Sequence, residues 1–174
     1  MERLILDLWS LIFLFLLSLF LLHDKGRWTF LGVFVFGICL NQIFNNFLKG
    51  LIRAPRPLED MRLFRMELAT GRKINNGRFG MPSNHAQTLG FMTVFVFLVL
   101  KQVNILLFYL AISLWTVYER VVERKHSWLQ ILVGWILGCL VGFLFYSLGK
   151  RWIRGPKMEK KDDLFSLSQF YSMV

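Results

Sequence analysis

Five long apolar stretches, at residues 4–22, 28–48, 82–100, 103–118 and 127–148, divide the chain and decide what it can fold into. A helical crossing of a bilayer needs roughly 20 apolar residues, and these stretches together take more than half of the 174. In hydrocarbon each must satisfy its own backbone N–H and C=O groups, which an isolated segment does only as a helix. The expected fold is therefore all-α: a polytopic membrane helix bundle of about five transmembrane helices, with the 16-residue fourth stretch as the marginal span. Composition agrees, since 55% of residues are apolar and only 18% are charged, against about 45–50% and 25% in soluble domains. The longest pieces between and after the spans, 49–81 and 149–174, are too short to bury a core of their own. A soluble catalytic domain, a dinucleotide-binding fold and a disulfide scaffold are excluded, so any chemistry sits at the membrane boundary.

The expected organisation is one membrane domain over residues 1–150 and a basic, then mixed, carboxyl tail over 151–174. The first stretch is too long for a secretory signal and lacks a small-residue cleavage site after Leu22, so it is expected to be a retained anchor. Cys39 and Cys139 fall in mid-span and behave as small hydrophobes. The net charge of +10 lies in the connections, which makes anionic headgroups rather than nucleic acid the expected partners. Alternation of sides puts 12 Lys and Arg on the face of 49–81 and 119–126 and 9 on the other, so charge bias alone does not orient the chain. The charges say nothing of oligomeric state.

Two spans carry more than hydrophobicity. Asn41, Asn45 and Lys49 recur at intervals of four on one helix face, a polar stripe that cannot face lipid: Asn41 is expected to bond across the bundle, while Asn45, nearer the site, stays open between bonding and function. Gly134, Gly138 and Gly142 form a ridge that lets a neighbouring helix come close.

The face holding loops 49–85 and 119–130 carries three clusters. In the first, Lys49 to Pro57, Arg56 is locked between Pro55 and Pro57, a fixed guanidinium beside an ammonium. In the second, Gly80-Met-Pro-Ser-Asn-His85, Pro82 suits the first helical position and leaves the Ser83 and Asn84 amides open to an anion, with His85 one turn in. The third runs from Glu119-Arg120 to His126 and Gln130, where the i, i+4 spacing lets the amide fix the imidazole tautomer. Two histidines, three cations and a helix amino terminus, without a cluster of carboxylates, point to phosphoryl transfer: one histidine attacks and the other protonates the leaving oxygen.

These clusters, reading K-x6-R-P, P-S-x-H and R-x5-H, resemble the type 2 phosphatidic acid phosphatase superfamily, membrane phosphatases that work through a phosphohistidine without a metal or cofactor. The resemblance implies His126 as nucleophile, His85 as general acid and Gln130 as orienting residue. It implies Lys49, Arg56, Ser83, Asn84 and Arg120 as the phosphate pocket. Asn84, Glu119 and Gln130 depart from the general pattern, which more often has glycine, serine and aspartate there. The stretches from Gly80 to Gln87 and from His126 to Gln130 are, however, similar to those of the branch that cleaves dolichyl diphosphate. That similarity implies hydrolysis of a dolichyl or other polyprenyl diphosphate in the endoplasmic reticulum, with a lumenal site, recycling the lipid carrier of N-glycosylation. A phosphatase of phosphatidate or undecaprenyl diphosphate, and a catalytically silent lipid-phosphate binder, stay open at this level.

Overall fold

The computed structural model describes residues 2–72 and 74–154. Within them the chain is all-helical: α1 (Glu2–Asp24), α2 (Trp28–Ile52), a short α3 (Met61–Ala69), α4 (Asn84–Leu100), α5 (Val103–Val122) and α6 (Trp128–Arg154), with a single 3₁₀ turn at Asn76–Arg78. The tail beyond Arg154 lies outside the described residues.

The helix ends follow local chemistry. Before the two prolines, α2 closes on Arg53 in the left-handed conformation, φ 51°, with its N–H on the Lys49 carbonyl. Asp60 caps α3, its carboxylate accepting from the Arg62 and Leu63 amides at 2.8 and 3.3 Å. Another left-handed residue, Lys101 at φ 54°, ends α4 and turns the chain directly into α5.

By length and composition α2, α5 and α6 are long and apolar enough to cross a membrane, while Trp9–Asp24 and α4 are shorter apolar helices. The marginal span expected in the fourth stretch is thus displaced. That helix gains a turn through Glu119 and Arg120 and reaches 20 residues. The third stretch shortens to 17, because Pro82 and Ser83 stand outside α4.

The bundle is built around α4, which packs on α1, α2, α5 and α6. It is apolar nearly all round, as a fully enclosed helix must be, and Leu89, Phe91, Met92, Phe95 and Val96 are completely buried. Its closest neighbour is α6, admitted by the glycine ridge. A Cβ on Gly134 would meet the Ser83 carbonyl at 2.6 Å, one on Gly138 the Gln87 carbonyl at 1.9 Å, and one on Gly142 the Phe91 carbonyl at 2.8 Å. Such backbone approach is how helices associate where lipid removes the hydrophobic drive between them. Outward faces carry Phe20, Ile43, Phe47, Leu114, Trp115 and Leu140, the apolar surface expected against acyl chains.

Asn41 and Asn45 of the α2 stripe are used inside the bundle, and Lys49 continues it into the site. Asn45 Nδ2 donates to Gln87 Oε1 at 2.7 Å and Gln87 Nε2 donates to Asn41 Oδ1 at 2.8 Å, all three residues being fully buried. Asn45 also reaches the Pro82 carbonyl at 3.4 Å, so α2 holds the turn that leads into α4.

Candidate active site

The site lies where three connections meet at one end of the bundle. Residues 53–60 and 74–83 are tied together by an isolated antiparallel bridge between Pro55 and Phe79 and by the Gly80 N–H on the Ala54 carbonyl at 2.7 Å. Arg78 braces this strap. Its guanidinium donates to Glu59 at 3.0 and 2.8 Å, pairs with Glu67 of α3, and lies over the Phe64 ring. Phe64 in turn meets Phe79 edge to face with centroids 6.1 Å apart. A connection without a core of its own is thereby given a fixed shape, and it presents two backbone carbonyls, those of Pro55 and Gly80, to the third connection.

His126, 3% exposed, sits in that third connection just before α6, with its Nδ1 3.0 Å from the Gly80 carbonyl oxygen. A carbonyl only accepts, so Nδ1 carries the proton and Nε2 of the neutral ring is the free base. Burial and then the Arg56 charge push the pKa of His126 down to about 4, with Lys49 adding to the effect. The Gly80 carbonyl and Gln130 oppose the shift without overcoming it. The imidazole is therefore neutral, and a base at Nε2, through the physiological range.

Three cations gather at this end: Arg56 and Lys49 act on the ring, and Arg120 lies by Arg56. Lys49 and Arg120 are each 6% exposed, closing α2 and α5, and Arg56 projects from the strap. The pKa of Arg56 is lowered by burial and by the nearby Arg120 charge, with Glu59 opposing. Arg56 Nε and Ser83 Oγ are buried without a hydrogen-bond partner, as is Asn84 Oδ1. Among the described residues no group of three or more His, Cys, Asp or Glu converges as a metal site. The clustered cations, with the Arg56 Nε–H and the Ser83 hydroxyl as further donors, make a pocket suited to an anion; Asn84 Oδ1, an acceptor, adds nothing to it.

At two positions the geometry departs from expectation. Pro82 is not the first helical residue: it follows a cis peptide bond and precedes the N-cap, which is Ser83. The Ser83 N–H donates to the Gln130 carbonyl at 3.1 Å, so the amides open to an anion begin at Asn84, and Ser83 has only its hydroxyl to offer. The second departure concerns Gln130. The Gly80 carbonyl takes the ring proton of His126, while the Gln130 amide accepts from the Ser127 N–H at 3.1 Å and donates to the Pro55 carbonyl at 2.8 Å. Gln130 therefore rivets the strap to α6, and its pull on His126 is the weakest of the five influences. Gly80 makes this possible, since a Cβ there would lie 2.6 Å from both amide atoms of Gln130.

His85 is half-buried in the first turn of α4, next to Asn84 and Ser83. Every candidate residue thus lies at this end of the bundle. Residue types alone did not disclose the Gly80 carbonyl, the Pro55 carbonyl or the Gln87 clamp. The glycine before the Pro-Ser turn was the visible signal for the first.

Residues 30–154 match the family described as the PAP2 superfamily. The chain is 31% identical over 126 residues to dolichyldiphosphatase of Saccharomyces cerevisiae, covering 67% of this chain and 50% of the yeast protein. It is 31% identical over 134 residues to dolichyldiphosphatase 1 of Homo sapiens, covering 68% and 50%. It is 30% identical over 147 residues to the chloroplastic lipid phosphate phosphatase epsilon 2 of Arabidopsis thaliana, covering 79% and 45%. The chain spans about half the length of these relatives, and no solved structure matches it. With the family match covering most of the helical bundle and every residue of the cationic pocket, the chain belongs to the PAP2 superfamily.

Proposed function

We propose that the chain is a lipid phosphate phosphohydrolase that acts on dolichyl diphosphate through a phosphohistidine on His126. The observation that carries this reading is the Nδ1 contact of His126 with the Gly80 carbonyl, which leaves a neutral Nε2 base beside the Arg56 and Lys49 charges, with Arg120 next to Arg56. Nε2 attacks the terminal phosphorus and forms the N–P bond as the bond to the bridging oxygen breaks. His85 gives that oxygen its proton, and dolichyl phosphate leaves. Water then attacks the phosphohistidine, His85 takes the water's proton, and orthophosphate departs with the electron pair of the N–P bond returned to Nε2. Lys49, Arg56, Arg120, the Ser83 hydroxyl and the Asn84 N–H hold the phosphoryl oxygens as charge develops. The positive ring of the intermediate is favoured by the Gly80 carbonyl, and the bound phosphate offsets the surrounding cations.

The dolichyl relatives in yeast and human support the choice of lipid; placement in the endoplasmic reticulum with a lumenal site belongs to the same proposal. The plant lipid phosphate phosphatase favours a second reading, a phosphatase of another lipid phosphate such as phosphatidate. Phosphate release by the purified chain from dolichyl diphosphate, phosphatidate and diacylglycerol diphosphate, side by side in excess EDTA, tests both. Preference for dolichyl diphosphate is expected; preference for either glycerolipid would replace the first reading by the second.

A further inference from the structure

Consecutive in sequence, α5 and α6 both rest on α4. Between them runs an apolar groove of about 330 Å³, walled by Leu110, Leu114 and Val117 of α5 and by Trp128, Leu132 and Trp135 of α6. The wall residues of α5 recur at four and three, so they form one stripe; its inner edge is Ser113, which also lines the groove and lies two turns before Arg120 on the same face. Those of α6 recur likewise, beginning two residues after His126. The groove therefore starts at the segment joining the cationic pocket to the proposed nucleophile. From there it follows seven residues of each helix, about 10 Å, into the apolar part of the bundle. Its outer lip is open, with Leu114 69% and Leu132 55% exposed, so an occupant enters sideways from the bilayer without threading.

From this continuity we infer that the groove seats the root of the substrate's hydrocarbon tail, the part next to the diphosphate whose terminal phosphoryl group meets His126. The inference rests on the phosphatase reading and names what that site selects. A tail already dissolved in lipid gains nothing from leaving water, so the groove discriminates by packing, and the two indoles give rigid walls for it. At about 10 Å it is a third of a hydrocarbon core of about 30 Å, so it reads the chemistry of the tail's root and is indifferent to total length.

The test uses the full chain in phosphatidylcholine nanodiscs with three probes. These are farnesyl diphosphate, a polyprenyl diphosphate of about ten isoprenes, and inorganic phosphate as a competitive inhibitor that reports the headgroup pocket alone. Leu114→Trp and Leu132→Trp fill the groove. They are expected to raise KM for both prenyl substrates alike by about tenfold, while kcat and the inhibition constant of phosphate stay within about twofold. Leu144→Trp, exposed on α6 outside the groove, should change none of these. Should the tryptophan variants not fold, farnesyl diphosphate with a photoreactive tail on the unmodified chain answers the same question, and its label should fall on α5 or α6. Unchanged KM in the groove variants, label confined to α1 or α2, or a change of particle mass marking the groove as a docking face for a second copy would each overturn the inference with the phosphatase reading intact. Absence of phosphate release by the unmodified chain from every lipid tried would overturn both.

Discussion

Gln130 offers the sharpest perturbation because its hydrogen bonds and its effect on His126 can be separated. In Gln130→Glu the side chain keeps its length and can still accept from the Ser127 N–H, but it turns an oxygen toward the Pro55 carbonyl and adds a charge beside the imidazole. At a separation of roughly 5 Å and an effective dielectric of about 20, that charge favours imidazolium by about 3 kcal/mol, or about two pKa units. The pKa of His126, held at about 4 by burial and by Arg56, should then rise to about 6. The base must be unprotonated to attack, so the acidic limb of kcat/KM should move up by about two pH units. In Gln130→Leu the limb should stay near its original position, because the Gly80 carbonyl still holds the ring. The Leu variant should instead lose stability by about 2–4 kcal/mol, since the Pro55 carbonyl and the Ser127 N–H lose a partner in a nearly closed site. Phosphate release from pH 3.5 to 8, read beside thermal unfolding in the same detergent, separates the effects. An acidic limb that does not move in Gln130→Glu would refute the coupling between Gln130 and His126 and the electrostatic account with it.

Three further outcomes are expected. The depressed pKa of His126 means that the unfolded chain binds a proton near pH 6.5 while the folded one waits until about 4; stability should be full above pH 6.5 and fall by about 3 kcal/mol toward pH 4, and His126→Gln should remove that part of the slope in denaturation curves. Gly138→Ala puts a Cβ 1.9 Å from the Gln87 carbonyl, so α4 and α6 must separate at a cost of about 3 kcal/mol or more, read as a lower melting temperature; a melting temperature equal to that of the unmodified protein would mean that the helices are not in this contact. For topology, Thr70 and Lys101 are both exposed at opposite ends of the bundle; with a lumenal site, an impermeant thiol reagent applied from the cytosol should label Lys101→Cys and spare Thr70→Cys, and the reverse would refute that orientation.

The legibility of the fold follows from what lipid demands of a chain. Every long apolar stretch had to be a helix, so the bundle could be read from hydropathy, and the glycine ridge of α6 could be read as a contact before its partner was known. Helix ends were less visible. Glu119 and Arg120 look like a loop by polarity, yet they complete the last turns of α5, and Pro82 looks like a helix start although the chain makes one more turn before Ser83. In the site, side chains that carry charge or a base announce themselves by type and spacing. Partners supplied by the backbone do not: the Gly80 and Pro55 carbonyls come from residues 46 and 75 positions from those they serve. Only the strap, ordered by Arg78, Glu59, Glu67 and the Pro55 to Phe79 bridge, brings them there, and none of those residues has a local signature for that task.

The central claim is that His126 carries the phosphoryl group, and trapping in an alkaline detergent quench tests it most directly. Substrate labelled at the terminal phosphate should leave acid-labile, base-stable label on the peptide containing His126 when the unmodified chain is stopped during turnover. In His85→Ala the label should still form on substrates with a good leaving group and should persist, because water then lacks its base. His126→Ala should show neither label nor turnover. Label on another residue, or phosphate release by His126→Ala at the rate of the unmodified chain, would contradict the account.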